Sequence, residues 1–335
     1  MSESPDSTAR LEGVIGSVAK TFDELASQIG SSAFPEEWKE DGIWASGVLA
    51  GVLGPDWLDK FATESGTPYL RFVLAPHRLA QLAAMVEFAA RLKLLAGSPG
   101  MSEIGRQMRR QLEPGVMGHA SLQLEVAGLE YRRSGAAIME ATLASAGWKP
   151  DVLLYHGSTP IGVECLRLGI SDEVASHLAT PGAPERVIDA WQRIGARIIV
   201  KAAQPAQAGG WLRCELDDGM FADQPWFSSA LVAMSLQDKA ATLVSATRQS
   251  MQTIGDMHGV VLSSPATSDA NARDETHRHP DSYISLRRRL PGERVRETFI
   301  IPSDHAAQSE SDIWAELYDE ESTWLAWALQ LVKPE

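Results

Sequence analysis

Residues 148–168, WKPDVLLYHGSTPIGVECLRL, constrain the fold more than any other stretch of the chain. Two apolar runs are separated by a short glycine-containing turn, the first entered through Pro150-Asp151 and the second carrying Glu164. Runs of this length bounded by glycine and proline read as neighbouring strands. Along IGVECLRL, alternation sends Val163, Cys165 and Arg167 to one face and Glu164, Leu166 and Leu168 to the other. Two strands thus present Asp151 and Glu164 side by side, a pairing suited to a cation that prefers oxygen ligands.

The surrounding pattern predicts an α/β protein. HASLQLEVAGLEYRRSG reads as a helix closed by Gly135, followed by three strands in succession, AAIMEATLAS, DVLLYH and PIGVECLRL. The three should meander antiparallel, after which PERVIDAWQRIG is predicted as a crossover helix leading to a parallel strand, ARIIVKAA. Residues 227–254 read as a long helix, HGVVLSS as a buried strand, and SYISLRRRLPGERVRETFIIP as a hairpin turning at Pro291-Gly292. PATSDANARDETHRHPD is polar and rich in breakers and is expected to be an exposed loop. DIWAELYDEESTWLAWALQLV is predicted as a single acidic amphipathic helix.

Upstream, residues 1–10 are polar and expected to be loose, and helical spacing recurs in residues 11–29 and 69–96, so the first 113 residues are predicted to be mainly helical. The expected organisation is a helical N-terminal domain over 1–113, an α/β domain over 114–303 and an acidic C-terminal helix over 304–335.

Of the 335 residues, 44% are hydrophobic and 22% charged, a balance that supports a folded core. The net charge of -14 argues against coating nucleic acid through bulk positive charge, so any such contact needs a local basic face. Much of the negative charge lies at the end: Asp304, Glu310, Asp312, Glu316, Asp319, Glu320, Glu321 and Glu335 stand against Lys333 alone. The two cysteines, Cys165 and Cys214, provide no disulfide framework or CxxC metal motif. MSESPDSTAR lacks the pattern of a secretion signal, and no run approaches about 18 apolar residues. A cytoplasmic protein making no membrane contact is the expectation.

The order of elements, together with Glu125, Pro150-Asp151 and Glu164-Cys165-Leu166, resembles the PD-(D/E)xK nuclease superfamily over roughly residues 118–203. The resemblance implies a restriction-endonuclease-like α/β/α core with a mixed sheet, and magnesium held by Asp151 and Glu164 with Glu125 assisting. It also implies hydrolysis of DNA phosphodiesters. Leu166 stands where that family carries its lysine, and leucine cannot orient a water or stabilise developing negative charge. Lys149 and Lys201 have the parity to take over the catalytic cation's role, whereas Arg167 should face away. Gln192, on the second helix, could face the site.

Each residue also has a plainer reading. Asp151 can be a strand-entry acid, Glu164 can pair with an arginine, and Glu125 can be solvated or salt-bridged. Arg287, Arg288 and Arg289, with Arg294 and Arg296 across the turn, could grip a phosphate backbone or decorate a solvated edge hairpin. His277 and His279 form an i,i+2 pair with little else to suggest a metal site. The P-loop, GxGxxG, HExxH and GxSxG motifs are absent. Two functions follow as expectations: a magnesium-dependent DNA nuclease, or an inactive nuclease-like fold that binds protein partners through its helical region or acidic tail.

Overall fold

The computed structural model describes residues 19–65, 79–112, 114–141, 147–168, 196, 198–216, 244–245, 247–252, 255–266, 273–280 and 282–333. The helical N-terminal region begins with α1 (Phe22–Gly30), α2 (Glu36–Leu53), α3 (Trp57–Ser65), α4 (Leu79–Leu94) and α5 (Met101–Arg110). A reciprocal cap starts α1: the Glu24 amide donates to the Thr21 hydroxyl, and the Lys20 amide donates to the Glu24 carboxylate. Phe22, Leu25 and Ile29 then recur at helical spacing and are buried. In α4 every residue from Leu82 to Leu92 is buried, which explains an apolar character that extends all round the helix.

Helix α6 (Pro114–Ser134) ends as its sequence predicts, with Gly135 at φ +77° and its N–H bonded to the Tyr131 carbonyl. Eight strands follow: β1 (Ile138–Met139), β2 (Val152–His156), β3 (Thr159–Leu168), β4 (Trp211–Leu216), β5 (Gly259–Ala266), β6 (Glu275–His279), β7 (Tyr283–Leu290) and β8 (Arg294–Pro302). They form one mixed sheet in the order β1-β2-β3-β4-β5-β8-β7-β6. The β1-β2-β3 meander is antiparallel, and β4 lies parallel to both β3 and β5.

One face of the sheet, carrying Val163, Cys165, Trp211 and Val261, shares an apolar core with the N-terminal helices, α6 and the C-terminal helices. The other face, carrying Leu212, Cys214, Val260 and Leu262, packs on Ile198, Ala202 and Ala206 of the helical stretch 198–208 and on Val244 and Met251. The result is a mixed α/β architecture with helices on both faces of the sheet. Both cysteines are buried and unbridged, on opposite faces. Among the described residues no helix is long and apolar enough to cross a membrane.

Four expectations require correction. ARIIVKAA does not form a strand: residues 198–208 are helical and the parallel neighbour of β3 is Trp211–Leu216. Its β-branched run hides the Ile198, Ala202, Ala206 spacing of a helix whose outer residues, Ile199 and Val200, remain exposed. The polar segment after β5 contains β6, an exposed strand held by β7. The C-terminal segment is two helices, α7 (Gln308–Asp319) and α8 (Glu321–Val332), broken at Glu320. That break lets α7 cover β7 and β8 while α8 turns onto α4 and β7. Finally, the β7-β8 hairpin is interior, because β8 pairs with β5 and β7 with β6.

The Pro291-Gly292 turn forms as predicted. Gly292 has φ +76°, and a Cβ there would lie 2.8 Å from the Leu79 carbonyl oxygen and 2.6 Å from the Ala83 Cβ. The turn therefore docks against the start of α4 only with glycine at this position. The segment 184–195 predicted as a crossover helix, most of the predicted helix 227–254, residues 11–18 and 69–78 of the two predicted N-terminal helices, and residues 1–10, expected to be loose, lie outside the described residues.

Candidate functional site

Asp151 and Glu164 come together where β2 begins beside β3. The register pairs Val152 with Val163, which sets Asp151 opposite Glu164 on the same face. Both side chains are largely buried. Asp151 is held from three directions: the Cys165 amide donates to Oδ2 at 2.7 Å, Gln123 Nε2 donates to Oδ1 at 2.8 Å, and His119 Nε2 lies 3.4 Å from Oδ1. Burial, and next the charge of Asp151, push the Glu164 carboxyl up to about 7, against the opposing pull of Lys201 and His119.

Lys201 reaches this pair. Its Nζ lies 3.5 Å from Glu164 Oε1, and the side chain is half exposed. It arrives from the helical stretch 198–208 and not from a strand, and that stretch packs on the face to which Leu166 also contributes. Lys149, the other candidate cation, instead meets Glu140 Oε2 at 2.5 Å. Arg167 runs along α6, where a Cβ on Gly118 would strike its Cδ, in keeping with the side-chain alternation read from the strand. Gln192 lies outside the described residues.

Helix α6 contributes to the site through His119 and Gln123, one turn apart on one face. Glu125, two residues further and roughly 200° around the helix, points elsewhere. Its Oε1 accepts from Arg213 Nη2 at 2.8 Å and its Oε2 from Arg296 Nη1 at 2.7 Å. Burial alone would raise its pKa, yet Arg296 and Arg213 hold the carboxyl well below the ordinary range. Glu125 thus belongs to a buried ionic network that also includes Glu215 and Glu321, both bonded to Arg296, and the Tyr318 hydroxyl beside Arg213. Arg294 joins Glu87, which also pairs with Arg91.

The same network accounts for much of the basic hairpin. Arg288 is buried, donating to the Tyr318 and Glu275 carbonyls and the Thr276 hydroxyl and pairing with Asp319. Arg287 is half-buried, with two acids, Glu275 and Glu297, as its register partners. Arg289 is exposed. Strand alternation has therefore split the three arginines between faces. The acidic C-terminal segment supplies two of the hairpin's counter-ions, Asp319 to Arg288 and Glu321 to Arg296, and pairs elsewhere through Asp312 with Arg278 and Glu320 with Arg132. His277 and His279 both lie on β6, where His279 stacks on Tyr283 at 4.0 Å and bonds Ser285, while His277 lies 3.4 Å from Glu275.

Three residues at the site were not singled out by the sequence: His119, Gln123 and Glu140. Gln123 is fully buried and its Nε2 bridges Asp151 Oδ1 and Glu140 Oε1, at 2.8 and 2.9 Å. Glu140 follows β1 with φ +55°, and its N–H donates to the Asp151 carbonyl, which turns its side chain toward the site. A polar residue at i+4 from a histidine on an otherwise apolar helix face was the available signal for Gln123.

Among the described residues no three His, Cys, Asp or Glu side chains converge as a ready-made ligand set. Magnesium does not require one, since it retains several waters and is commonly held by one or two carboxylates. Asp151 and Glu164 supply hard oxygens, and Gln123, whose Nε2 holds Asp151, has its Oε1 buried without a hydrogen-bond partner. This donor set fits a hydrated divalent cation. Searches against family models, curated proteins and solved structures find no match to this chain.

Proposed function

We propose that the chain is a magnesium-dependent nuclease with a restriction-endonuclease-like core, acting on DNA phosphodiesters, in which Lys201 does the work of the missing strand lysine. The observation that carries this reading is the 3.5 Å approach of Lys201 Nζ to Glu164 Oε1, from the face to which Leu166 contributes. Asp151 and Glu164 would hold the cation, which when bound supplies charge neutralisation at the phosphodiester. Gln123 and the Cys165 amide fix the Asp151 carboxylate so that its geometry does not have to reorganise. Lys201, at the half-exposed edge of the site, donates to a phosphate oxygen and stabilises the charge that develops there.

A second reading, a non-catalytic binding module, draws support from the three donors already engaging Asp151 and from Leu166 packing on the apolar cluster. One experiment separates the two. Magnesium and manganese are titrated calorimetrically into the wild type and an Asp151→Ala, Glu164→Ala double variant, with cleavage of plasmid and single-stranded DNA measured in the same samples. Metal binding and metal-dependent cleavage that both vanish in the double variant support the nuclease. Absence of both in the wild type overturns it and favours the binding module.

A further inference from the structure

Gln123 poses a problem that its hydrogen bonds do not solve. Both of its N–H donors are used, one on Asp151 Oδ1 and one on Glu140 Oε1, so the amide orientation is set by two carboxylates. The consequence is an Oε1 acceptor that is buried and has no partner, in a side chain with no solvent exposure. Leaving such an oxygen desolvated costs about 1–3 kcal/mol, a cost that the two N–H donations of the same amide do not remove. An acceptor so placed, on the same amide that spans two acids, points to a hydrogen-bond donor belonging to a ligand.

Glu140 presents a related anomaly. It lies within the reach of one amide from Asp151, yet its Oε2 is neutralised by Lys149, a side chain that is 49% exposed. A half-exposed ammonium is an exchangeable counter-ion, unlike the buried arginines that hold Glu125.

We propose that Gln123 and Glu140 form the outer arm of the cation site: Gln123 Oε1 and the Glu140 carboxylate accept hydrogen bonds from the hydration shell of a divalent cation held by Asp151 and Glu164. Gln123 Nε2 fixes Glu140 at the required distance from Asp151, and Lys149 competes with the cation for Glu140. This inference rests on the cation reading of the Asp151–Glu164 pair. It gives Gln123 and Glu140 the assisting role that the family resemblance implied for Glu125. Partners of this kind orient ligands and waters, and their loss typically lowers metal affinity about 10- to 100-fold.

The test is calorimetric titration of manganese into the full chain, with thermal melts of each variant to verify folding. Glu140→Gln and Gln123→Leu are expected to weaken manganese binding about tenfold while retaining a cooperative melt. Lys149→Met should tighten it several-fold, because a competitor for Glu140 has been removed. The Lys149→Met, Glu140→Gln double variant should bind like Glu140→Gln alone. A purely structural role for Gln123 and Glu140 predicts no tightening in Lys149→Met. Wild-type binding that is lost in Asp151→Ala but unchanged in Glu140→Gln, Gln123→Leu and Lys149→Met would overturn the outer arm and leave the cation site standing. No manganese binding by the wild type would overturn both.

Discussion

Arg296 Nη1 lies 2.7 Å from Glu125 Oε2, joining residues 171 positions apart in the chain. This contact ties β8 to α6, and through Arg213 on β4 and Glu321 on α8 it fixes four elements around one buried cluster. It also explains why the acid on the first helix of the α/β core does not reach Asp151: both its oxygens are committed to guanidinium groups. The two charge clusters that stand out in the sequence, a basic hairpin and an acidic C-terminal segment, meet in the Arg288–Asp319 and Arg296–Glu321 pairs, and the hairpin also forms ion pairs with Glu87, Glu125 and Glu215.

Removing one side of that cluster leaves the other buried and unpaired. Arg296→Met should destabilise the fold by about 3–5 kcal/mol, because Glu125, Glu215 and Glu321 all lose a partner. Urea unfolding monitored by tryptophan fluorescence checks this, and an unchanged midpoint would contradict it.

Glu321 supplies a pH signature. Burial raises its carboxyl from the ordinary value of 4.5 to about 7, with Glu125 adding to the rise and Arg296 opposing it. Because the folded value is the higher one, the native state binds the extra proton between these limits. The contribution is complete below about 4.5 and is lost as pH climbs through 7. Melting temperatures of the wild type and Glu321→Gln should therefore diverge in the variant's favour between pH 5 and pH 8. Parallel curves would show that the carboxyl titrates normally.

Lys201→Met should lower metal-dependent cleavage about 100-fold or more while manganese affinity holds or rises, since the ammonium that shares Glu164 is gone. Lys149→Met should not reproduce the rate loss. Single-turnover cleavage with saturating manganese distinguishes the two, and equal loss in both variants would remove Lys201 from its role.

Gly292→Ala should weaken the docking of the hairpin turn on α4. A positive φ and an added Cβ 2.8 Å from the Leu79 carbonyl oxygen together cost about 2–4 kcal/mol. Chemical denaturation of the variant measures it, and a loss below about 0.5 kcal/mol would mean that the turn can move off the helix.

Local pattern determined a good deal of this protein. Alternation along 161–168 assigned Cys165 and Glu164 to opposite faces, glycine and proline located the end of α6 and the turn at 291–292, and helical spacing located α4. These features are set by residues within a few positions of one another, so the sequence carries them directly. The pairing of Asp151 with Glu164 was equally legible, since one short turn joins the two strands.

Tertiary structure decided the rest. The β-branched run at 198–200 becomes helix because burying Ile198, Ala202 and Ala206 against the sheet outweighs local strand preference. Glu125, Arg288, Arg294 and Arg296 became structural ion pairs because elements distant in sequence brought their counter-ions to them. Gln123 and Glu140 joined Asp151 only once α6 packed over β1 and β2. Spacing along a chain records which way a side chain points; which charge waits there depends on long-range packing, because a counter-ion can come from any part of the chain.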